Sequence, residues 1–417
     1  MANELGHSLT LTDNKEEFRN ASSPRINYSP EHIEEANFWI KPHPLLFEKT
    51  ITQQHIECFE KNGHTLFFKT EGDLPFDIFA AAFYLLSRYE EWLPHQKDIY
   101  GRYAYENSLA FKEGFLNIPL INDWLQHFKD SLRGKTPSFT IHDSRFTFLP
   151  TYDIDEAFSF RHKEWKRNTG ATVKDLIKGN WKRLKFRRDV LNNKTKDPFD
   201  SYEWMNALHQ RFQLRPRYFF LLAERTGQYD RNILPGQQAL RAIIKDHAGK
   251  YVVGIHPSWQ SGDDAGLFSK EIETLSTITG KAVVSSRQHF IRFTIPQTYR
   301  QLILVGIKED YSMGYGSING FRASVASPFY WYDLEKEEQT SLLLYPFCYM
   351  EANSFFEQKF SPQQALEEMR HYHKVVKAVN GTMITIWHNT FLGTDPLFEG
   401  WREVYEQFVK GIMDQEV

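Results

Sequence analysis

From residue 146 onward the chain alternates two kinds of pattern, and this alternation constrains its fold more than any other feature. Short apolar or aromatic runs at 146–152, 217–222, 251–255, 282–285, 341–347 and 383–387 read as strands. Amphipathic runs at 199–212, 236–247, 266–279, 297–305 and 362–379 read as helices. A helix between two strands carries the chain back to the edge where it started. Such strands pair in parallel through right-handed crossovers. No glycine fingerprint of a dinucleotide-binding turn follows any of these strands. The pattern therefore predicts an α/β fold, a distorted β/α barrel over 146–417. In such barrels the strand C-termini share one face, and chemistry is placed there.

A smaller α/β domain is expected before it, over 1–135. Residues 1–30 are polar. The stretch 75–93 places Ile78, Ala81, Ala82, Leu85 and Leu86 at helical spacing, 122–132 forms a second amphipathic helix, and 66–68 is a short strand. The polar connector 133–145 marks the boundary. With 25% charged residues and a formal net charge of -3, the composition gives no case for nucleic-acid binding. Cys58 and Cys348 are too few and too far apart for a disulfide framework or a cysteine-rich zinc site. The first residues lack the apolar core of a signal peptide, and no run reaches transmembrane length. A soluble, cytoplasmic protein is expected.

Four of the strand-like runs end in polar groups. T-Y-D-I-D at 151–155 supplies Asp153 and Asp155, which share one face if the segment is extended. Y-V-V-G-I-H-P-S supplies His256 and Ser258, V-V-S-S-R-Q-H-F supplies Arg287 and His289, and M-I-T-I-W-H-N supplies His388. Two carboxylates at a strand end suit metal binding and general acid–base work. A lone D-x-D or a lone histidine is ordinary. Four such ends on one rim form a constellation. Tyr152, Trp259 and Trp387 flank it, either as a sugar-stacking wall or as barrel packing.

These strings resemble the motifs of the polysaccharide deacetylases, carbohydrate esterase family four. The resemblance covers 146 to about 390 and implies a distorted β/α barrel holding one divalent metal, usually zinc. T-Y-D-I-D is similar to the first motif, which implies Asp153 as catalytic base and Asp155 as metal ligand. H-P-S-W-Q aligns His256 with the first histidine of the second motif. R-Q-H-F offers Arg287 as the residue that orients the base, with His289 in place of a proline. I-T-I-W-H matches the last motif at His388, the acid for the leaving amine. The nearest counterpart of a fourth motif is Asp310-Tyr311. The strings F-D-I-F-A-A-A-F-Y-L-L-S-R-Y-E-E and F-W-I-K-P-H resemble a branch with an N-terminal domain of unassigned role. The implied activity is removal of an N-acetyl, or less often O-acetyl, group from a glycan or carrier-linked sugar. Alternatives are a hydrolase of non-sugar amides with the same fold, and a non-catalytic glycan-binding protein that has lost its metal.

Two departures matter. Gln260 stands where the second motif has its second histidine, and an amide oxygen is a weak zinc ligand. The site is then dead, or holds its metal with fewer protein ligands, or recruits another histidine. His289 is the expected recruit, because sequential β/α units are usually neighbours. The second departure is the insert 161–188, rich in Lys and Arg (Lys163, Lys166, Arg167, Lys182, Arg183, Lys185, Arg187 and Arg188). It is either a solvated amphipathic helix or a contact for an anionic carrier, lipid face or acidic glycan near the mouth of the site.

Overall fold

The computed structural model describes residues 6, 8–21, 24–137, 140–141 and 144–414. They form two compact units. The first takes residues 1–147, 320–341 and 374–383; the second takes 148–319, 342–373 and 384–417.

In the first unit, β1 (Ile26–Tyr28) pairs in parallel with β2 (Phe38–Ile40), and β3 (Phe59–Lys61) pairs antiparallel with β4 (His64–Leu66). The expected strand at 66–68 is thus shifted toward the N-terminus. Helix Ile78–Leu86 is started by Asp77, whose Oδ1 accepts the amides of Phe79 and Ala80. It stops short of the expected end at 93. Arg88 takes a left-handed conformation, φ 53°, and a new turn, Tyr89–Trp92, begins. The break turns Arg88 and Glu91 inward, where Arg322 meets them. Glu91 Oε1 accepts from Arg88 Nε at 2.8 Å and from Arg322 Nε at 2.9 Å, and its Oε2 accepts from Arg322 Nη2 at 2.6 Å. Burial alone would raise the Glu91 carboxyl, but the two guanidinium charges outweigh it and hold it down to about 2. Helix Leu120–Lys135 buries Ile121, Trp124, Phe128 and Leu132 at three-and-four spacing.

The remaining strands are β5 (Thr147–Ile154), β6 (Arg217–Leu221), β7 (Val252–His256), β8 (Ser285–Ser286), β9 (Glu309–Asp310), β10 (Phe329–Asp333), β11 (Glu338–Leu344), β12 (Tyr349–Met350) and β13 (Thr382–His388). The sheet of the second unit runs β11-β9-β8-β7-β6-β5-β13-β12. Neighbours pair in parallel from β5 through β9, as do β9 with β11 and β12 with β13. Helices Tyr202–Arg211, Gln238–Lys250, Ala265–Thr279, Gln297–Leu304 and Pro362–Ala378 lie close to their expected spans. The fold is mixed α/β. Strands β11 and β12 do not pair with one another among the described residues.

Alternation along β5 explains the site. Tyr152 and Ile154 point to one side, where the Tyr152 hydroxyl meets those of Tyr405 and the His209 ring. Thr151 and Asp153 point to the other side, toward Arg287. Tyr152 and Trp387 are fully buried, so they are core and cannot stack on a ligand. Trp259 is partly exposed.

Candidate active site

Asp153 is buried near the end of β5, and Arg287 just past β8 reaches it. Arg287 donates from Nη1 to Asp153 Oδ1 at 2.7 Å, from Nη2 to Thr151 Oγ1 at 2.7 Å, and from Nε to the Tyr311 carbonyl at 3.0 Å. The guanidinium lies 4.5 Å over the Phe219 ring. Phe219 fits there because Gly254 is beside it. A Cβ at 254 would come within 2.7 Å of that ring and 2.6 Å of the Ser285 carbonyl oxygen. Asp310 serves this frame indirectly. Its carboxylate takes the hydroxyls of Ser286 and Ser312 and fixes the chain that offers the Tyr311 carbonyl. Burial pushes the Asp310 carboxyl up to about 6 despite those bonds.

Asp155, one step past β5, is surrounded by histidines. His256 Nε2 is 3.1 Å from Oδ1; His289 Nε2 and His388 Nε2 are each 3.4 Å from Oδ2. The far nitrogen of each ring has an oxygen partner. His256 Nδ1 meets the Arg287 carbonyl at 2.6 Å, His289 Nδ1 meets Asp230 Oδ1 at 3.1 Å, and His388 Nδ1 meets Glu351 Oε1 at 2.7 Å. A carbonyl or carboxylate only accepts, so each Nδ1 carries the proton. In the neutral rings the three Nε2 lone pairs then face a carboxylate. Asp155 Oδ1 is buried and has no hydrogen-bond donor.

Such a cluster demands positive charge. Burial opposes ionisation of Asp155, yet His289, His388 and His256 hold its carboxyl well below the usual range. Burial likewise disfavours a charged His289, but Asp155 and Asp230 push it up to about 9. Glu351 and then Asp155 raise His388 well above its ordinary value against the same burial. Protons can supply that charge, and so can a metal ion. Asp155, His256 and His289 offer ligand atoms all within 4.8 Å of one another. Two imidazole nitrogens and a carboxylate, each imidazole backed by an oxygen on its far side, form the donor set of a zinc-type site. The residues present fit such an ion.

Each expected residue has a definite place. Asp155, His256, His289 and His388 converge, and Asp153 with Arg287 stands beside them, Asp153 Oδ2 being 3.8 Å from His256 Nε2. Gln260 lies behind His289. Its amide donates to Asp230 Oδ2 at 3.1 Å and to the Arg225 carbonyl at 3.2 Å. Ser258 is buried in the loop scaffold; its amide donates to Glu271 and its Oγ accepts from the Ser261 amide. The two carboxylates that hold His289 and His388, Asp230 and Glu351, carry no signal in the sequence pattern. Asp230 sits in a loop with no period. Glu351 follows β12, a two-residue strand too short to register; had β12 been visible, the strand-end rule would have flagged it.

An aromatic rim adjoins His289. Tyr229 stacks on Trp259 with ring centroids 4.1 Å apart, Phe290 meets Trp259 edge-on, and Arg292 lies 4.4 Å over the indole. Phe290 and Ile291 both take positive φ, 58° and 55°. For non-glycine residues each such conformation costs on the order of 1–3 kcal/mol, and this strain sits directly after His289.

Residues 1–137 match the model of a family of unknown function, DUF7033. No curated protein matches the chain. Among solved structures, a Mycobacterium smegmatis protein designated a polysaccharide deacetylase is 13% identical, with a TM-score of 0.41, over 65% of this chain and 84% of its own. An allantoinase is 10% identical, with a TM-score of 0.43, over 65% and 85%. A Pseudomonas aeruginosa PAO1 protein, also designated a polysaccharide deacetylase, is 12% identical, with a TM-score of 0.41, over 65% and 86%. No helix among the described residues is long and apolar enough to cross a membrane.

Proposed function

We propose that the second unit is a distorted β/α barrel of the polysaccharide deacetylase type. In this reading it is a metal-dependent hydrolase that removes an N-acetyl, or O-acetyl, group from a glycan or carrier-linked sugar. The observation that carries this is the meeting of an Arg-held carboxylate, Asp153, with the inward-facing Asp155, His256 and His289, and with His388 on the same carboxylate.

Asp155, His256 and His289 would hold the ion, most simply Zn²⁺. When bound there, a divalent ion supplies Lewis acidity that polarises an acyl oxygen and acidifies water. Asp153 is the base. Its Oδ1 is occupied by Arg287, which leaves Oδ2 to take a proton from the attacking water. Arg287 is itself fixed by Thr151 and the Tyr311 carbonyl, so the base does not need to reorganise during the reaction. His388 is the acid. Glu351 holds its Nδ1 and raises its proton affinity, so that Nε2 arrives protonated and donates to the departing nitrogen. Positioning and proton transfer thus come from residues on five strand ends.

The test is acetate release. The full chain, supplied with Zn²⁺, is incubated with a panel of N- and O-acetylated sugars and oligosaccharides, with cyclic ureides and imides alongside. Release from at least one acetylated sugar, absent in Asp153→Asn, supports the reading. Turnover of the cyclic amides alone would move the chain to the non-sugar class. No turnover with less than about a tenth of an equivalent of zinc bound would make it a binding protein.

A further inference from the structure

The insert that begins six residues after Asp155 forms two helices, Trp165–Ile177 and Trp181–Leu191, joined by a turn at Gly179 with φ 66°. Its charge is unusual for this chain. Residues 161–188 hold eleven Lys or Arg against two acids, Glu164 and Asp175, so the segment carries +9 and the rest -12, against -3 overall.

The base of this hairpin is tied down. The Asp197 carboxylate takes the amides of Ser159, Phe160 and Arg161 at 2.8–2.9 Å. Arg187 pairs with Asp175 at 2.6 Å and lies over the Phe160 ring. Arg167 donates to the carbonyls of Arg231 and Asn232, the two residues that follow Asp230, the carboxylate behind His289. The hairpin is therefore clamped to the loop that supports the site.

Its far end is the reverse. Ile177 is 83% exposed and Trp181 is 69% exposed on the two sides of the turn, with Leu176 also exposed beside them. Lys174, Lys178, Lys182 and Lys185 are exposed around this apex and make no ion pair among the described residues. Ordinary solvated helices do not present an isoleucine and a tryptophan together at a tip. A soluble polyanion would use the lysines and leave the apolar apex in water. A surface with an anionic face and an apolar interior uses both, the lysines at the headgroups and the indole at the boundary.

We propose that the tip of the 165–191 hairpin docks on an anionic lipid bilayer and holds the mouth of the Asp155 site at the membrane surface. The inference rests on the surface of the hairpin and not on the reaction assigned to the site. Binding lies on the membrane and spans nothing.

The test is co-sedimentation of the full chain with vesicles of phosphatidylcholine alone and of phosphatidylcholine mixed with phosphatidylglycerol. Two variants accompany it, Ile177→Ser with Trp181→Ser, and Lys174→Glu with Lys178→Glu and Lys182→Glu. All these side chains are exposed, and thermal melting checks that the variants fold. The wild type should sediment with the mixed vesicles, less so as salt is raised, and each variant should bind about tenfold more weakly. Equal recovery with and without anionic lipid would overturn the proposal. So would full binding by the Ile177/Trp181 variant together with competition by a soluble polyanion, which would make the hairpin a site for acidic glycans or proteins. Acetate release from soluble substrates is measured separately and does not enter this result.

Discussion

Two clusters of buried charge, one in each unit, are built on opposite principles. In the first unit Glu91 is enclosed by Arg88 and Arg322, and no buried side-chain nitrogen or oxygen of the three lacks a partner among the described residues. In the second unit Asp155 faces three histidine nitrogens, its Oδ1 has no donor, and Oε2 of Glu351 behind His388 is likewise unpartnered. Burying charge is costly unless it is paired and hydrogen-bonded. A cluster that pairs itself fully serves the fold. In the function proposed here, the cluster that pairs itself only in part is the one completed by a cation and a substrate. The Arg287–Asp153 pair is intermediate: one oxygen of Asp153 is satisfied and the other is left to work.

The largest expected effect breaks the open cluster at its base. Asp153→Asn keeps shape and burial but removes the proton acceptor, so kcat should fall about 10²–10⁴-fold while zinc content stays at the wild-type level. Steady-state acetate release read against metal analysis separates the two effects. More than half of the wild-type rate would remove Asp153 from that role.

The closed cluster should respond in stability and not in chemistry. Glu91→Gln removes the carboxylate charge that two buried guanidinium groups share, with Glu90 still 3.5 Å from Arg88, and should cost about 3–5 kcal/mol in urea unfolding. The sign of its pH dependence is fixed. The folded carboxyl sits at about 2, below its ordinary 4.5, so its stabilisation is complete above 4.5 and is lost as pH falls from there toward 2. The wild type should lose stability through that window, and the variant should show a flatter profile. Identical profiles would mean that Glu91 is not the group responsible.

A smaller effect sharpens the contrast at His388. Glu351→Gln keeps an acceptor for Nδ1 but removes the charge that raises the ring's proton affinity. Activity on amides should drop about tenfold, with much less change on activated esters, whose leaving groups need little protonation. Equal losses on both would leave Glu351 as a packing residue.

Much of this contrast was visible in the sequence, for different reasons in the two units. Asp153, Asp155, His256, Arg287, His289 and His388 each stand at the end of a run whose period marks a strand, so local pattern plus β/α topology placed them together. Their supports did not show. Glu351 follows a two-residue strand, Asp230 lies in an aperiodic loop, and the place of Gln260 behind His289 depends on a loop path that no periodicity encodes. In the first unit the helix at 78–86 was legible from its spacing. Its interruption at Arg88 was not, because the cause is a partner 231 residues away from Glu91. Tyr152 and Trp387 looked like candidates for a ligand wall only because sequence does not say which side of a strand faces helices. On β5 and β13 that side is the core.

The claim that the open cluster awaits a cation is tested most directly by titrating Zn²⁺ into the chelator-treated full chain and into two variants by calorimetry. One equivalent should bind tightly to the wild type. His289→Ala should lose tight binding, because it removes one of the three ligands within 4.8 Å of each other. Gln260→Ala should keep it with a modest loss, because Gln260 only steadies Asp230 behind that histidine. Zinc kept by the histidine variant and lost by the glutamine variant would contradict the account, as would a wild type that binds none.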